Sequence, residues 1–356
     1  MRYGIIGCGM IAQEHIRNLQ LFPDVQIVAI SDPLPSSIAM TKSTLGRDDV
    51  RVYEDAAGLA ADGGLDAVII SSPNYTHRNV LEPFFAADLH ILCEKPLATT
   101  LDDARWVRDK ALAHKGIFWT AREYRFMPPA VEFVKQVHAQ RVGRLQMLFM
   151  REHRFPFLPK IGDWNRFSEN TGGTMVEKCC HFFDLMRLIV QSEAVRVYCS
   201  GAMDVNHLDE RYDGRVPDIL DNSYTTVDFA NGVRAMLDLS MFADGAENQE
   251  EVMAVGDKAR LDMLIPESTL VYSPRTGYHN PKTPERTHVA VDDAVLGAGT
   301  HHGSIYYQHA AFMAAVRGEG PVQVTAEDGL RAVAIGAAAE ISAREKRVVD
   351  MTELGF

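Results

Sequence analysis

Over roughly the first 120 residues, short unbroken apolar runs alternate with stretches in which apolar residues recur every three or four positions. The runs fall at residues 3–6, 25–31, 66–71, 90–93 and 117–120, and Asp66-Ala67-Val68-Ile69-Ile70-Ser71 is typical. A strand covered on both faces reads this way, as in a parallel sheet. The helical period occupies residues 11–21, 37–45, 76–87 and 101–116. Thr100-Leu101-Asp102-Asp103 resembles a capping box at the start of the last helix, and Gly116 is predicted as its C-cap. Strand and helix in alternation with short loops predict a doubly wound parallel sheet.

The pattern changes near Ala121. Pro128-Pro129 opens a helix to about residue 140, and strand-like segments then alternate apolar and polar positions at 145–151, 195–200, 223–229, 233–241, 249–255 and 259–263. Such alternation predicts an antiparallel sheet with unlike faces, with Gly232 at a hairpin turn. A helix is predicted over 175–190, and residues 274–300, rich in Pro, Gly, Thr and His, read as a long surface loop. Helices at 304–317 and 326–345 close the chain, the second started by Thr325-Ala326-Glu327-Asp328. The fold class is α/β: a Rossmann-type, doubly wound parallel sheet followed by an α+β domain with an open, mostly antiparallel sheet. The boundaries are 1–121 for a dinucleotide-binding domain and 122–356 for a substrate-binding and oligomerisation domain.

The first strand runs into Gly7-Cys8-Gly9-Met10-Ile11-Ala12, a G-x-G-x-x-A turn. Gly7 permits a sharp strand-to-helix turn, Gly9 lets backbone approach a pyrophosphate, and Ala12 lets the helix pack on the strand. The helix end then offers N–H groups and a positive dipole to phosphate. The second strand ends at Asp32, where a ribose-gripping acid is expected. Asp32 would repel a 2′-phosphate and no arginine follows it closely, so NAD is expected rather than NADP.

Composition narrows the function class. At 356 residues the chain suits two domains. A net charge of -12 argues against nucleic acid or an anionic membrane as partner. No apolar run is long enough for a membrane span, and strand and glycine turn follow Arg2 at once, which leaves no room for a signal peptide and predicts a cytoplasmic protein. Cys8, Cys93, Cys179, Cys180 and Cys199 lie in apolar settings without C-x-x-C spacing and read as reduced, buried thiols. Cys179, Cys180 and His181 suit a metal poorly, because adjacent helical side chains diverge by about 100°.

Two constellations carry candidate chemistry. Glu94-Lys95-Pro96 leaves the carboxyl end of a predicted parallel strand, the edge at which open α/β sheets bind ligands. Beside a positively charged nicotinamide, Lys95 would lose its proton more readily and could exchange one with a substrate hydroxyl; the competing reading is a surface lysine paired with Glu94. Gly172-Gly173 then leads into Glu177 and His181, four residues apart and so on one helix face. They could hold a polyol hydroxyl, or His181 could be a core histidine among Phe182 and Phe183. Asp184 could orient that ring or pair with Arg187. Trp164-Asn165-Arg166, Arg122 to Arg125, and His301-His302-Gly303 could line a cleft, with His301 read as a solvated loop residue.

Together these motifs resemble the family of glucose–fructose oxidoreductase, inositol dehydrogenase and MocA. The resemblance rests on the G-x-G-x-x-A turn, Ser71-Ser72-Pro73-Asn74 with His77, Glu94-Lys95-Pro96, Tyr124-Arg125-Phe126, Trp164 and the Gly-Gly…His-x-x-Asp helix. It implies a Rossmann domain, a C-terminal α/β domain whose open sheet forms homodimer or homotetramer contacts, and hydride transfer between NAD(P) and a sugar or cyclitol hydroxyl. It makes Lys95 the acid/base and places the family's D-x-x-x-H pair on Glu177 and His181, with glutamate for aspartate. It further implies cofactor contacts from Gly7, Cys8, Gly9, Met10, Ile11, Ala12, Asp32, Ser72, Asn74, His77, Glu94, Lys95 and Arg122. Substrate contacts are implied from Lys95, Tyr124, Trp164, Arg166, Glu177, His181 and His302. Two alternatives stand beside the dehydrogenase: a glycosidase or epimerase that recycles NAD, and a non-catalytic NAD-binding regulator.

Overall fold

A computed structural model describes residues 1–356. The chain forms two compact units, Met1–Met127 with Val291–Val333, and Pro128–Ala290 with Ala334–Phe356. Residues 291–333 thus join the N-terminal unit, an arrangement that a single cut at 121 does not convey.

The first unit is built on six parallel strands, β1 (Arg2–Ile6), β2 (Gln26–Ser31), β3 (Arg51–Tyr53), β4 (Ala67–Ile70), β5 (His90–Cys93) and β6 (Phe118–Thr120), in the order β3-β2-β1-β4-β5-β6. Every residue of β4 is buried, as its unbroken apolar run requires. Strand order reverses between β1 and β4, and the carboxyl ends there form the crevice where such sheets take ligands. Tyr3, Ile5, Ile16, Ile30, Ile69, Trp119 and Phe312 belong to one core behind that edge.

The second unit carries β7 (Leu145–His153), β8 (Ala194–Ala202), β9 (Asn222–Phe229), β10 (Arg234–Ser240), β11 (Glu250–Gly256), β12 (Ala259–Ile265), β13 (Thr269–Pro274), β14 (Glu285–His288) and β15 (Val349–Asp350) in a nine-stranded sheet. Its pairs are antiparallel except β7 with β10. Along β9, Ser223, Thr225, Val227 and Phe229 are buried while Tyr224 and Thr226 are exposed, so the two faces differ as the alternation predicts. The Pro128–His138 and Cys180–Val190 helices pack against β12 and β7. No helix is long and apolar enough to cross a membrane.

Several local expectations change. Arg51–Tyr53 and the Ala56–Ala60 helix have no sequence reading behind them, because β3 is a three-residue edge strand without an apolar run. The second helix begins at Pro35 rather than at residue 37, with the proline at a position whose N–H is surplus. Gly116 is not a C-cap; His114 is, and a Cβ at Gly116 would lie 2.2 Å from the Leu89 carbonyl oxygen, so the glycine permits a close backbone approach. The 274–300 loop contains β14 and the Asp293–Gly297 helix. The predicted 175–190 helix is two pieces, Thr174–Glu177 and Cys180–Val190. At the break the Cys179 N–H reaches back five residues to the Thr174 carbonyl (3.2 Å), one residue wider than an α-turn.

Candidate functional site

The glycine turn is shaped as its residue types demand. Gly7 has φ +85°, and a Cβ there would lie 2.5 Å from the Ser72 nitrogen, backbone against backbone. Gly9 has ordinary backbone angles, and a Cβ on it would meet nothing within 4 Å. Its exposed backbone therefore faces open space at the N-terminus of the Met10–Leu19 helix. The first N–H bonded within that helix is Gln13's, to the Gly9 carbonyl (3.3 Å). The N–H groups of Met10, Ile11 and Ala12 stand at the helix end, where a phosphate would accept from them.

Asp32 ends β2 and accepts the Cys8 N–H at 2.8 Å on one oxygen and the Leu34 N–H at 2.8 Å on the other. A carboxylate has about four acceptor sites, so both oxygens keep capacity for hydroxyls. Past β4, Asn74 is buried with its Nδ2 lacking any hydrogen-bond partner. An enclosed donor without an acceptor is costly, about 1–3 kcal/mol, and a bound group with an acceptor oxygen would relieve it. The open cradle at Gly9, the acceptor capacity of Asp32 and this Asn74 donor fit a dinucleotide. Ser72 is fixed from two sides: its Oγ accepts the Thr76 hydroxyl (2.7 Å) and its carbonyl lies 3.1 Å from His77 Nε2.

Other sequence-selected residues stand behind this edge. His77 is fully enclosed, with Nδ1 2.9 Å from the Pro96 carbonyl and Nε2 on Ser72, and burial pulls its pKa down. It ties the Ser72 turn to the Lys95-Pro96 turn. Arg122 is also enclosed: its N–H donates to Gln308 Oε1 (2.9 Å) and Nη2 to the Gly329 carbonyl (3.3 Å). Glu94 is buried, and one of its oxygens accepts the Lys95 N–H (3.1 Å). Burial raises its pKa, but His15 and Lys95 outweigh burial and hold the carboxyl below its usual range. Lys95 itself is half-buried at the carboxyl end of β5. Tyr124 is buried in the Glu123–Phe126 turn.

His302 is half-buried with φ +52°, and burial and the neighbouring His301 lower its pKa. His301 is not a solvated loop residue: its Nδ1 lies 2.8 Å from Glu14 Oε1, which also accepts the Thr300 N–H (2.9 Å). Nothing in the sequence pairs Glu14 with this loop 286 residues away.

In the second unit, Glu177 and His181 are both buried, on either side of the wide turn. The turn is held from two directions. Glu340 Oε1 accepts the Met175 N–H at 2.9 Å, and Lys178 Nζ lies 2.8 Å from Glu152 Oε1. Gly173 has φ +88°, and a Cβ there would lie 2.2 Å from Glu340 Oε1. Burial lowers the Lys178 pKa and raises that of Glu340 to about 7. The lysine that follows Glu177 is thus committed to a buried ion pair. Trp164 is half-buried, and its carbonyl accepts from Asn170 Nδ2 (3.1 Å). Arg166 is buried and donates through Nε to Glu210 (2.9 Å), which also accepts from Tyr212. His207, Tyr212 and Arg166 hold Glu210 down at about 2 against its burial. Arg187 pairs with Glu193 at 2.7 Å. All five cysteines are free and buried; burial pushes Cys8 and Cys199 to about 11 and Cys179 well above its ordinary value, so these thiols are poor nucleophiles.

Comparison with known proteins agrees in both units. Residues 1–121 match the model of an oxidoreductase family's NAD-binding Rossmann fold, and residues 134–351 match the same family's C-terminal alpha/beta domain. Myo-inositol 2-dehydrogenase of Thermotoga maritima is 27% identical over 355 residues, covering 99% of each chain. Inositol 2-dehydrogenase of Rhizobium meliloti is 26% identical over 353 residues, again covering 99% of each. The structure of a levoglucosan dehydrogenase in complex with NADH and levoglucosan superposes with a TM-score of 0.86 at 18% identity, covering 99% of both chains. With a Rossmann turn shaped for a dinucleotide and both family models matched in order, the chain belongs to the Gfo/Idh/MocA family of NAD-binding oxidoreductases.

Proposed function

We propose that this protein is an NAD-dependent dehydrogenase that oxidises, or forms by reduction, a secondary alcohol of an inositol-like cyclitol or a sugar. The observation that carries the reading is the placement of Lys95: half-buried at the carboxyl end of β5, in the same unit as the Gly9 cradle and Asp32. In the oxidising direction, the hydroxyl proton passes to Lys95 Nζ. In the reducing direction, Lys95 returns it to the carbonyl oxygen. Bound NAD supplies the acceptor for the hydride leaving the same carbon. The Met10–Ala12 N–H groups would hold the phosphates and Asp32 the ribose hydroxyls, with Ser72 and Asn74 completing the hold. The Asp32 charge selects NAD over NADP. His77, Glu94 and Arg122 support these loops from behind.

In the second unit, His181 polarises the reacting hydroxyl and acts as secondary proton relay, and Glu177 accepts from a neighbouring hydroxyl. The longer glutamate places that acceptor one methylene farther out than an aspartate would, which favours a different hydroxyl pattern. Tyr124, Trp164, Arg166 and His302 shape the substrate's surroundings. The register puts Met147, Tyr198 and Tyr224 on one exposed face of the sheet, which suits a cytoplasmic homodimer or homotetramer.

The test is Lys95→Met assayed by NADH absorbance against inositols, aldoses and simple glycosides, with NAD affinity measured by calorimetry. NAD binding is expected to persist while turnover of the active polyol falls by roughly 100-fold or more. Turnover equal to that of the unaltered enzyme would overturn the assignment of Lys95.

A further inference from the structure

Behind the Lys95 turn, three buried ionisable side chains form a line. His309 Nε2 lies 2.8 Å from His15 Nδ1, and His15 Nε2 lies 3.0 Å from Glu94 Oε1. The other Glu94 oxygen accepts the Lys95 N–H. The three side chains come from the Met10–Leu19 helix, the end of β5 and the Ser304–Val316 helix, and both imidazoles are fully enclosed.

The hydrogen bonds assign the protons. Glu94 is held ionised and can only accept, so His15 donates from Nε2. A neutral His15 then accepts at Nδ1, and His309 donates from Nε2. The alternative, a doubly protonated His15, would move the His309 proton to Nδ1. That atom is enclosed and has no partner, and an orphaned N–H costs about 1–3 kcal/mol. Burial holds His309 well below its ordinary pKa, so it stays neutral. Beyond His309 stand the edge of the Tyr3 ring, at 6.2 Å between centroids, and the Phe312 core. The line therefore ends against the Tyr3 ring and the core around Phe312.

A second buried carboxyl, Glu123, lies in the same unit and feels both Glu94 and Lys95. Burial and the Glu94 charge push its pKa up, opposite to Glu94. The environment thus shifts the two carboxyls in opposite directions, and Glu94 is the one that the His15 ring meets.

We propose that His15 and His309 are positioning residues for Lys95: their aligned N–H donors lock Glu94 as an anion in one rotamer, which fixes the Lys95 backbone and supplies a counter-charge when Lys95 accepts the substrate proton. This rests on the reading of Lys95 as the acid/base.

The experiment combines histidine nuclear magnetic resonance with kinetics on the full chain. In the unaltered protein labelled with 15N-histidine, two enclosed imidazoles are expected as Nε2–H tautomers, with the His15 resonance displaced in Glu94→Gln. Nδ1–H tautomers, or a His15 signal indifferent to Glu94→Gln, would overturn the line itself. In turnover, His15→Leu is expected to lower kcat by roughly 10- to 100-fold with KM and NAD affinity little changed. His15→Gln, which keeps a donor toward Glu94, recovers most of the loss. On a Glu94→Gln background, His15→Leu is expected to add nothing. Full additivity, or no rescue by His15→Gln, would assign His15 a packing role only. Where His15→Leu does not fold, His309→Gln, which preserves an outer donor, and His309→Leu, which removes it, give the same contrast. If Lys95→Met retains turnover while the tautomers stand, the reading of Lys95 fails and the histidine line does not.

Discussion

The glycine turn at residues 7–12 and the Gly172–His181 segment do comparable work by opposite means. Both follow a glycine with positive φ, and both lead into helices that carry candidate binding groups. At the first, the restricting neighbours are backbone: Ser72 crowds Gly7, and the binding groups are N–H donors of the helix itself. At the second, the restricting neighbours are charged side chains brought from far along the chain, Glu340 on the Met175 N–H and Glu152 on Lys178. A backbone site depends on few identities and tolerates change elsewhere. A side-chain site depends on every distant partner, and its specificity can be altered from any of them. The cofactor half accordingly rests on backbone, and the segment that carries Glu177 rests on side chains brought from far along the chain.

The largest effect that would break this comparison belongs to the glycines. Gly7→Ala combines a left-handed backbone with a clash against backbone that cannot move, and is expected to cost about 2–6 kcal/mol and abolish NAD binding. Gly9→Ala meets open space, so its thermal stability should change by under about 1 kcal/mol while NAD affinity falls, because the added methyl occupies the phosphate approach. Calorimetric unfolding beside NAD titration separates the two. Equal losses of stability in both would show that Gly9 is structural.

Next comes the buried pair of the second unit. Lys178→Met leaves Glu152 enclosed with only Arg154 at 3.5 Å, and is expected to destabilise by about 3–5 kcal/mol, read by denaturant unfolding. A loss under about 1 kcal/mol would mean the pair is solvated in solution.

The smallest effect sharpens the electrostatic side. Glu340 has its pKa raised from 4.5 to about 7, chiefly by burial. Between those values the folded state binds more protons than the unfolded, so stability from this group is greatest below about pH 4.5 and is lost as pH rises through 7. Glu340→Gln is expected to remove that slope, so the unaltered protein loses melting temperature relative to the variant across this window. Parallel profiles would show Glu340 ionised throughout.

The parallel sheet, the glycine turn and Asp32 were legible in the sequence, because each rests on local chemistry: an unbroken apolar run, a residue without Cβ, a carboxylate at a strand end. The alternation of the second sheet was legible for the same reason. The wide turn at Lys178 was not, since its residues read as ordinary helix and the partners Glu152 and Glu340 lie far along the chain. His15 left a faint signal, a polar residue within the apolar stripe of Ala12, Ile16 and Leu19, but nothing local names its partner.

By itself, then, the sequence determined the two kinds of sheet, the dinucleotide turn and the candidate proton carrier Lys95. The tertiary structure alone decided what stands behind them. Only folding brings His309 onto His15 across 294 residues, Glu14 onto the 300–301 loop, and Glu340 under Gly173. Local patterns report what a residue prefers from its neighbours in the chain, whereas the charge and proton of a buried group depend on whichever distant donor burial leaves within reach.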